Sequence, residues 1–358
     1  MDIFCPFFVY NFLGEIMKKI LIILLLIPIN VKAFDTSAKS AILMDMDSNR
    51  ILYGKNINYT QSVASISKIM TAICVIENTN INKSVIVGEE VLKSYGSGIY
   101  VQIGERLKIK DLLYGLMMRS GNDAALVLAK NTSGSVLKFV DMMNEKAKKL
   151  GMKNTIFNNP SGLDEKEFKG NFSSAYDMAL LMSYAMKNKH FRKIVSTKEY
   201  NLKTNKNVYK WKNKNKLLYS YKYMLGGKTG FTKKAKRTLV TAASKNNLNL
   251  VAVTINDGND FKDHVDLFDE AFSKYKNFLL LNKGTLSIIG ENYYSDDKLY
   301  IKNKITYPLI LDEESLLKMK YELEKKRHYK NKSKVGSVKI YLGDQIIRNE
   351  NIYVKAKS

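Results

Sequence analysis

Two almost unbroken apolar runs, Leu239-Val240-Thr241-Ala242-Ala243 and Leu250-Val251-Ala252-Val253-Thr254-Ile255, constrain this chain more than any other stretch. Lys245-Asn246-Asn247 lies between them, so they read as a β-hairpin. Far upstream, Ser40-Ala41-Ile42-Leu43-Met44-Asp45 and Ile51-Leu52-Tyr53 read as two more strands around the turn-rich Asp47-Ser48-Asn49. The spacing of apolar residues between these pairs predicts helices: one opening near Ser65, then 107–118, 122–130 after a break at Ser120-Gly121, 135–150 stopped by Gly151, and 174–188. A short strand is expected over 85–87, a loop over 158–162, a mixed Lys-rich stretch over 195–209 and a further helix over 261–278. Strands at both ends of a helical middle make an α+β domain, an antiparallel sheet with helices.

Around Gly284 the texture changes to short strand-like pieces, over 285–289, 299–301, 307–311, 337–341 and 352–354. These predict a separate, small all-β module. The expected division is therefore a domain over 34–282 and a C-terminal β-rich domain over 283–358, in keeping with a length of 358 residues.

The N-terminal stretch points outside the cytoplasm. Met17-Lys18-Lys19, a run of Ile and Leu from Ile20 to Ile27, and Val31-Lys32-Ala33 follow the order of a positive region, an apolar core and a small-residue cleavage site. The reading expects initiation at Met17 and a leader over 1–33 cleaved after Ala33, whose loss lowers the charge by one. The formal net charge is +24. That favours an anionic partner: nucleic acid, an acidic membrane surface or an anionic wall polymer. There is no paired Cys/His finger and no compact basic arm, so nucleic acid is disfavoured. Cys5 and Cys74 are too few for a disulfide framework, and Cys74 reads as a small buried hydrophobe. His190, His264 and His328 stand in no ligand spacing, and no metal or cofactor is expected.

Ser65-Ile66-Ser67-Lys68 is a candidate for nucleophile and base, since residues three apart are neighbours on a helix. The spacing alone says little. Ser135/Lys138, Ser273/Lys276, Ser295/Lys298 and Ser315/Lys318 share it. Ser65 differs in opening an apolar helix (Ile66, Ile69, Met70 and Ile73) after a loop, where free backbone N–H groups can hold an oxyanion. Ser120-Gly121-Asn122 sits at a helix break and would present a hydroxyl and an amide to a cleft. Gly226-Gly227-Lys228-Thr229-Gly230 invites a phosphate-loop reading. That fails, because Lys222 stands where a further Gly is required and strands follow rather than a helix. A Lys and a Thr on an edge strand suit a peptide ending in a free carboxylate, laid along the strand.

Ser-x-x-Lys, Ser-x-Asn and Lys-Thr-Gly in this order resemble the penicillin-recognising serine enzymes. Within them the chain is similar to the low-molecular-mass serine D-Ala-D-Ala carboxypeptidases, peptidase family S11. The likeness extends to Gly96-Ser97-Gly98-Ile99-Tyr100, Arg119-Ser120-Gly121-Asn122-Asp123-Ala124, Asn159-Pro160-Ser161-Gly162-Leu163 and Asn213-Lys214-Asn215-Lys216-Leu217. It runs from about residue 36 to 358 and is looser in the last part. The resemblance implies a β-lactamase/transpeptidase-like catalytic domain. Ser65 would be the nucleophile and Lys68 the general base. Ser120 and Asn122 would pass protons and orient Lys68 and substrate. Lys228 and Thr229 would take the substrate carboxylate. Gly230 would allow close approach, and the backbone N–H groups of Ser65 and Phe231 would form the oxyanion hole. The implied partners are peptidoglycan stem peptides ending in D-Ala-D-Ala, and β-lactams. Phe231 stands where relatives have His or Tyr, and Ala235-Lys236-Arg237 is closer to the sporulation-type branch. The C-terminal amphipathic helix of many relatives is not expected after the strand over 352–354. Two rivals share parts of this pattern. A class A β-lactamase would need a Glu-x-x-Leu-Asn segment between the second and third motifs, which is not found. A non-catalytic wall-binding protein of the same fold would not need all three motifs intact.

Overall fold

The structure is a computed structural model and describes residues 35–164, 170–325 and 328–355. The leader expected over 1–33 lies outside the described residues. Among the described residues no helix is long and apolar enough to cross a membrane.

The hairpin strands are Lys236–Lys245 and Leu248–Ile255, and they form the middle of a five-stranded antiparallel sheet. Ser40–Asp45 pairs with Leu248–Ile255 and carries Ile51–Lys55 on its outer side; Met224–Thr232 closes the other edge beside Lys236–Lys245. Long-range pairing therefore joins the two ends of the domain, as the strand–helix–strand order requires. Both faces of the sheet are covered, which is why its central strands read as apolar runs without alternation. Ile42, Met44, Val240, Ala242, Val251 and Val253 face the helical middle and share its core with Ile66, Ile69, Met70 and Ile73. On the opposite face the helix Asp260–Lys274 lies against the hairpin strands, and its buried His264 sits between Thr241 Oγ1 (2.6 Å) and Thr254 Oγ1 (3.2 Å).

Several element boundaries differ from expectation. The stretch expected as a helix over 107–118 begins with the strand Arg106–Lys108. The helix is Ile109–Tyr114, and it widens to a π-helical turn over Gly115–Arg119. The helix expected over 174–188 splits into Ala175–Ala185 and Lys189–Ser196, because Asn188 Oδ1 accepts from the N–H groups of His190 and Phe191 and starts the second one. The stretch over 195–209 resolves into a hairpin, Glu199–Lys203 with Val208–Lys212. The helix expected over 261–278 ends at Lys274; Lys276–Leu281 is a strand against Ile305–Leu309, so Phe278 follows tertiary pairing rather than helical periodicity.

The C-terminal sheet has the order Gly284–Thr285, Lys298–Ile301, Gln345–Lys355, Lys334–Leu342, Leu317–Leu323. Its own core is built from Leu299, Ile301, Val338, Ile340, Ile352 and Val354. The strand Leu317–Leu323 is not among the expected strands, although Leu317, Met319, Tyr321 and Leu323 alternate with Lys318, Lys320 and Glu322 in the period-two pattern of a half-buried strand. The strand expected over 285–289 shrinks to Gly284–Thr285. Arg50 ties this module to the main sheet: its guanidinium donates to Pro308 O at 2.5 Å and grips both carboxylate oxygens of Glu313.

Candidate active site

Ser65 lies on a 3₁₀ turn, Ala64–Ser67, that runs straight into the helix Lys68–Asn78. The turn starts at Ala64 in a left-handed conformation (φ 49°). Ser67 is buried and donates its hydroxyl proton to Ala64 O (2.8 Å), which points it away from the cleft and leaves Ser65 as the open hydroxyl. The loop over 158–162 braces this turn. Gly162 (φ +79°) passes so close that a Cβ there would sit 2.0 Å from Ala64 O, so only glycine fits. Asn159 Oδ1 holds the loop by accepting from Ser161 N and Gly162 N.

One helical turn on, Lys68 is completely buried. Its Nζ donates to Ser65 Oγ at 3.0 Å, to Asn122 Oδ1 at 2.7 Å and to the carbonyl of Ser161. Asn122 is fixed in turn: its Nδ2 donates to Tyr95 O (2.6 Å) and its backbone N–H to Ser97 O (2.8 Å). Asp123 pins the same neighbouring segment by accepting from Ile99 N and Tyr100 N. The chain reaches Asn122 by breaking helix at Ser120, which closes the π-helical turn in a left-handed conformation (φ 64°). That break turns the Ser120 hydroxyl toward the edge strand, where Lys228 Nζ donates to Ser120 Oγ at 3.1 Å.

Lys228 lies on Met224–Thr232, opposite Val240, and is also buried. Its Nζ additionally donates to Thr229 O at 2.5 Å. Gly227 and Gly230 let this strand approach its neighbours. A Cβ at Gly227 would meet Val240 O at 2.3 Å; one at Gly230 would meet Thr238 Oγ1 at 2.4 Å and the backbone nitrogen of Ser65 at 3.0 Å. The strand edge and the nucleophile turn are thus separated by no side chain. Phe231 is exposed at the mouth. A cleft of about 450 Å³ opens here, lined by Ser65, Ser120, Thr229, Gly230 and Phe231 and also by Ser97 and Lys214.

Three amines share this space, and burial sets their charge. Lys68 is pushed well below the ordinary lysine range by burial, then by Lys228 and Lys214; Asp123 opposes the shift. Lys228 is brought down to about 7 by burial and by Lys214. Lys214 is lowered by its own burial and by Arg119. A desolvated amine beside other cations loses its proton most readily.

The residues expected to act together, Ser65, Lys68, Ser120, Asn122, Lys228, Thr229, Gly230 and Phe231, all border this cleft or its floor. Four participants escaped prediction. The Ser161 and Tyr95 carbonyls act through the backbone and leave no side-chain signal. Lys214, which donates to Ser97 Oγ at 3.3 Å, stood in a quoted segment without a role. Arg237, at the cleft rim, forms an ion pair with the buried Asp260. Among the described residues no cluster of His, Cys, Asp and Glu is arranged to hold a metal ion.

The family model for D-alanyl-D-alanine carboxypeptidase (Peptidase_S11) matches residues 28–259, and that for the penicillin-binding protein 5 C-terminal domain matches residues 275–357. The chain is 38% identical over 248 residues to D-alanyl-D-alanine carboxypeptidase DacF of Bacillus subtilis, covering 67% of this chain and 63% of that protein. It is 30% identical over 316 residues to D-alanyl-D-alanine carboxypeptidase DacA of Haemophilus influenzae, covering 81% and 76% respectively. Penicillin-binding protein 5 from Haemophilus influenzae superposes with a TM-score of 0.76 at 27% identity, covering 92% of this chain and 99% of that one.

Proposed function

We propose, since this chain belongs to the Peptidase_S11 family of D-alanyl-D-alanine carboxypeptidases, that it is an exported serine carboxypeptidase removing the terminal D-Ala from peptidoglycan stem peptides. The observation that carries the reading is the 3.0 Å contact between Ser65 Oγ and the fully buried Lys68 Nζ. An amine in that setting sheds its proton more readily than an ordinary lysine, and a serine hydroxyl needs a base beside it.

In this reading Lys68 takes the Ser65 proton as Oγ attacks the carbonyl carbon of the D-Ala-D-Ala bond. The oxyanion is held by the N–H groups of Ser65 and Phe231. The C–N bond then breaks, the leaving amine receives the proton by way of Lys68 and Ser120, and free D-Ala departs. Water hydrolyses the remaining ester, giving its proton back through Lys68 to Ser65. Asn122 keeps Lys68 aimed, while Lys228 and Thr229 bind the free carboxylate; an incoming carboxylate favours the ammonium form of Lys228, which stands near its midpoint at neutral pH. A β-lactam would present the same carboxylate and carbonyl and would remain as an ester on Ser65. The leader expected over 1–33 would deliver the enzyme to the wall side of the cytoplasmic membrane.

The test is D-Ala release from a muropeptide, run beside labelling with a fluorescent penicillin. Both activities are expected in the wild type and neither in Ser65→Ala. Labelling that survives in Ser65→Ala would overturn the site assignment, and rapid turnover of the penicillin would point to a β-lactamase instead.

A further inference from the structure

The C-terminal module carries a second concavity, about 410 Å³, lined by Gly284, Thr285, Lys298, Tyr300, Lys332 and Lys355. Among its described lining residues Lys298, Lys332 and Lys355 are lysines and none is a carboxylate. Two local choices that each cost stability meet there. Lys298 and Lys355 are direct partners across an antiparallel pair, where like charges repel. Lys332 holds a left-handed backbone (φ 66°), a conformation that Gly or Asn would take more easily. Its N–H donates to Val354 O at 2.8 Å, which seats it beside Lys355. Behind them the rings of Tyr300 and Tyr353 lie 5.7 Å apart, and Lys302 Nζ stands 3.6 Å over the Tyr353 ring. Lys339 and Lys320, toward the other edge of the sheet, are by contrast neutralised by Glu322. Stability given up at one spot marks a site with another use.

We propose that this pocket binds a phosphodiester of an anionic wall polymer, a polyol-phosphate chain, and so tethers the enzyme to the wall it works on. Lys298, Lys332, Lys355 and the Thr285 hydroxyl line this one concavity, the cationic and hydroxyl groups that bind a phosphate. The Tyr300 ring offers an apolar surface to the carbon chain between phosphates. A concave pocket of this volume suits a single threaded chain better than a flat lipid surface. The choice of polymer rests on the exported location proposed above; binding is read separately from D-Ala release, so either can fail alone.

The experiment uses the full chain with a fluorescent glycerol-phosphate oligomer, read by anisotropy at low and at physiological salt. The triple variant Lys298→Gln/Lys332→Gln/Lys355→Gln is compared with a charge-matched control, Lys138→Gln/Lys148→Gln/Lys149→Gln, on the helix Val136–Lys149. The pocket variant is expected to lose binding by roughly tenfold to a hundredfold at low salt, with the control within about twofold of wild type. Equal losses in the two triple variants would overturn the proposal in favour of bulk charge. So would pocket-dependent binding to phosphatidylglycerol vesicles in the absence of oligomer binding. Unchanged D-Ala release from a soluble peptide reports that the variants are folded. Lys298→Arg/Lys355→Arg keeps the charges and should keep the binding; its loss would also count against the pocket.

Discussion

Lys68 and Lys228 are shut away from water in the catalytic cleft, whereas Lys298, Lys332 and Lys355 stand in solvent on the C-terminal module. The same side chain is thereby put to opposite uses. Burial removes the hydration that stabilises an ammonium, so the cleft lysines are drawn toward the neutral amine; their hydrogen-bond partners are hydroxyls, an amide and carbonyls, none of them carboxylates. The module lysines keep their hydration and act through charge, at distances where salt screens them. What a lysine does in this chain of 58 basic residues is decided by the backbone that surrounds it rather than by its frequency.

The largest break in that contrast is expected from Lys68→Gln. The amide keeps hydrogen bonds to Ser65 and Asn122 but cannot take a proton, so D-Ala release should fall by about 10²–10⁴-fold with the fold intact. A variant within tenfold of wild type would show that Lys68 is not the base.

Lys228→Met comes next. Losing a charge-assisted contact to the substrate carboxylate should lower kcat/KM for a free-acid peptide by roughly 10–100-fold. It should matter far less for a C-terminally amidated one. The pH profile carries the sign. Lys228 is cationic below about 7 and neutral above it, so kcat/KM of the wild type should decline as pH rises through that value on its alkaline limb. Loss of that limb in Lys228→Met is the expected result; an unchanged alkaline limb would assign it to another group. Stability should move the opposite way. The unfolded chain holds a proton on this lysine up to its ordinary value, the folded chain only to about 7. Between those values wild-type stability rises with pH, and Lys228→Met should be the more stable protein near neutrality.

The residues of the candidate site were more legible in the sequence than the packing that supports them. Ser65, Lys68, Ser120, Asn122 and Lys228 belong to short motifs whose residue types already state their capabilities. The sheet was legible too, because covering it on both faces leaves unbroken apolar runs such as 250–255. What the sequence hid was whatever depends on backbone or on distant partners. The Ser161 carbonyl on Lys68 has no side-chain signature. The helix start at Asn188 looks like any other Asn in a lysine-rich stretch until its Oδ1 is seen accepting two N–H groups. Lys276–Leu281 continues a helical pattern and becomes a strand only because Ile305–Leu309 is there to pair with it.

Glycine repeats the contrast at smaller scale. Gly162 and Gly343 are both left-handed, at φ +79° and +59°, but Gly343 has open space where a Cβ would go, whereas Gly162 faces Ala64 O at 2.0 Å. Gly343→Ala should cost about 1 kcal/mol, the conformational term alone. Gly162→Ala must also displace backbone, should cost roughly 3 kcal/mol or more, and should depress D-Ala release by shifting the Ser161 carbonyl from Lys68. Equal midpoint shifts in urea unfolding for the two would mean the loop yields without disturbing the nucleophile turn.

The smallest effect on turnover is expected where the two regions meet. Arg50 fills the seam, with its guanidinium 5.3 Å from the Tyr275 ring and 5.2 Å from that of Tyr307, and bonded to Pro308 O and Glu313. The Arg50–Glu313 pair is largely shielded from solvent, so it should outlast salt that screens exposed pairs, and removing it leaves the Pro308 carbonyl short of a donor. Arg50→Ala should lower stability by about 1–2 kcal/mol, and Arg50→Lys by nearly as much, because a single ammonium cannot grip the carboxylate and the carbonyl in the same plane. Neither substitution reaches the cleft. Release of D-Ala from a short soluble peptide should therefore be unchanged below the unfolding temperature, measured beside a thermal scan of the same sample. A matching fall in turnover at temperatures where the variant is fully folded would show that the module steadies the catalytic sheet as well as standing beside it.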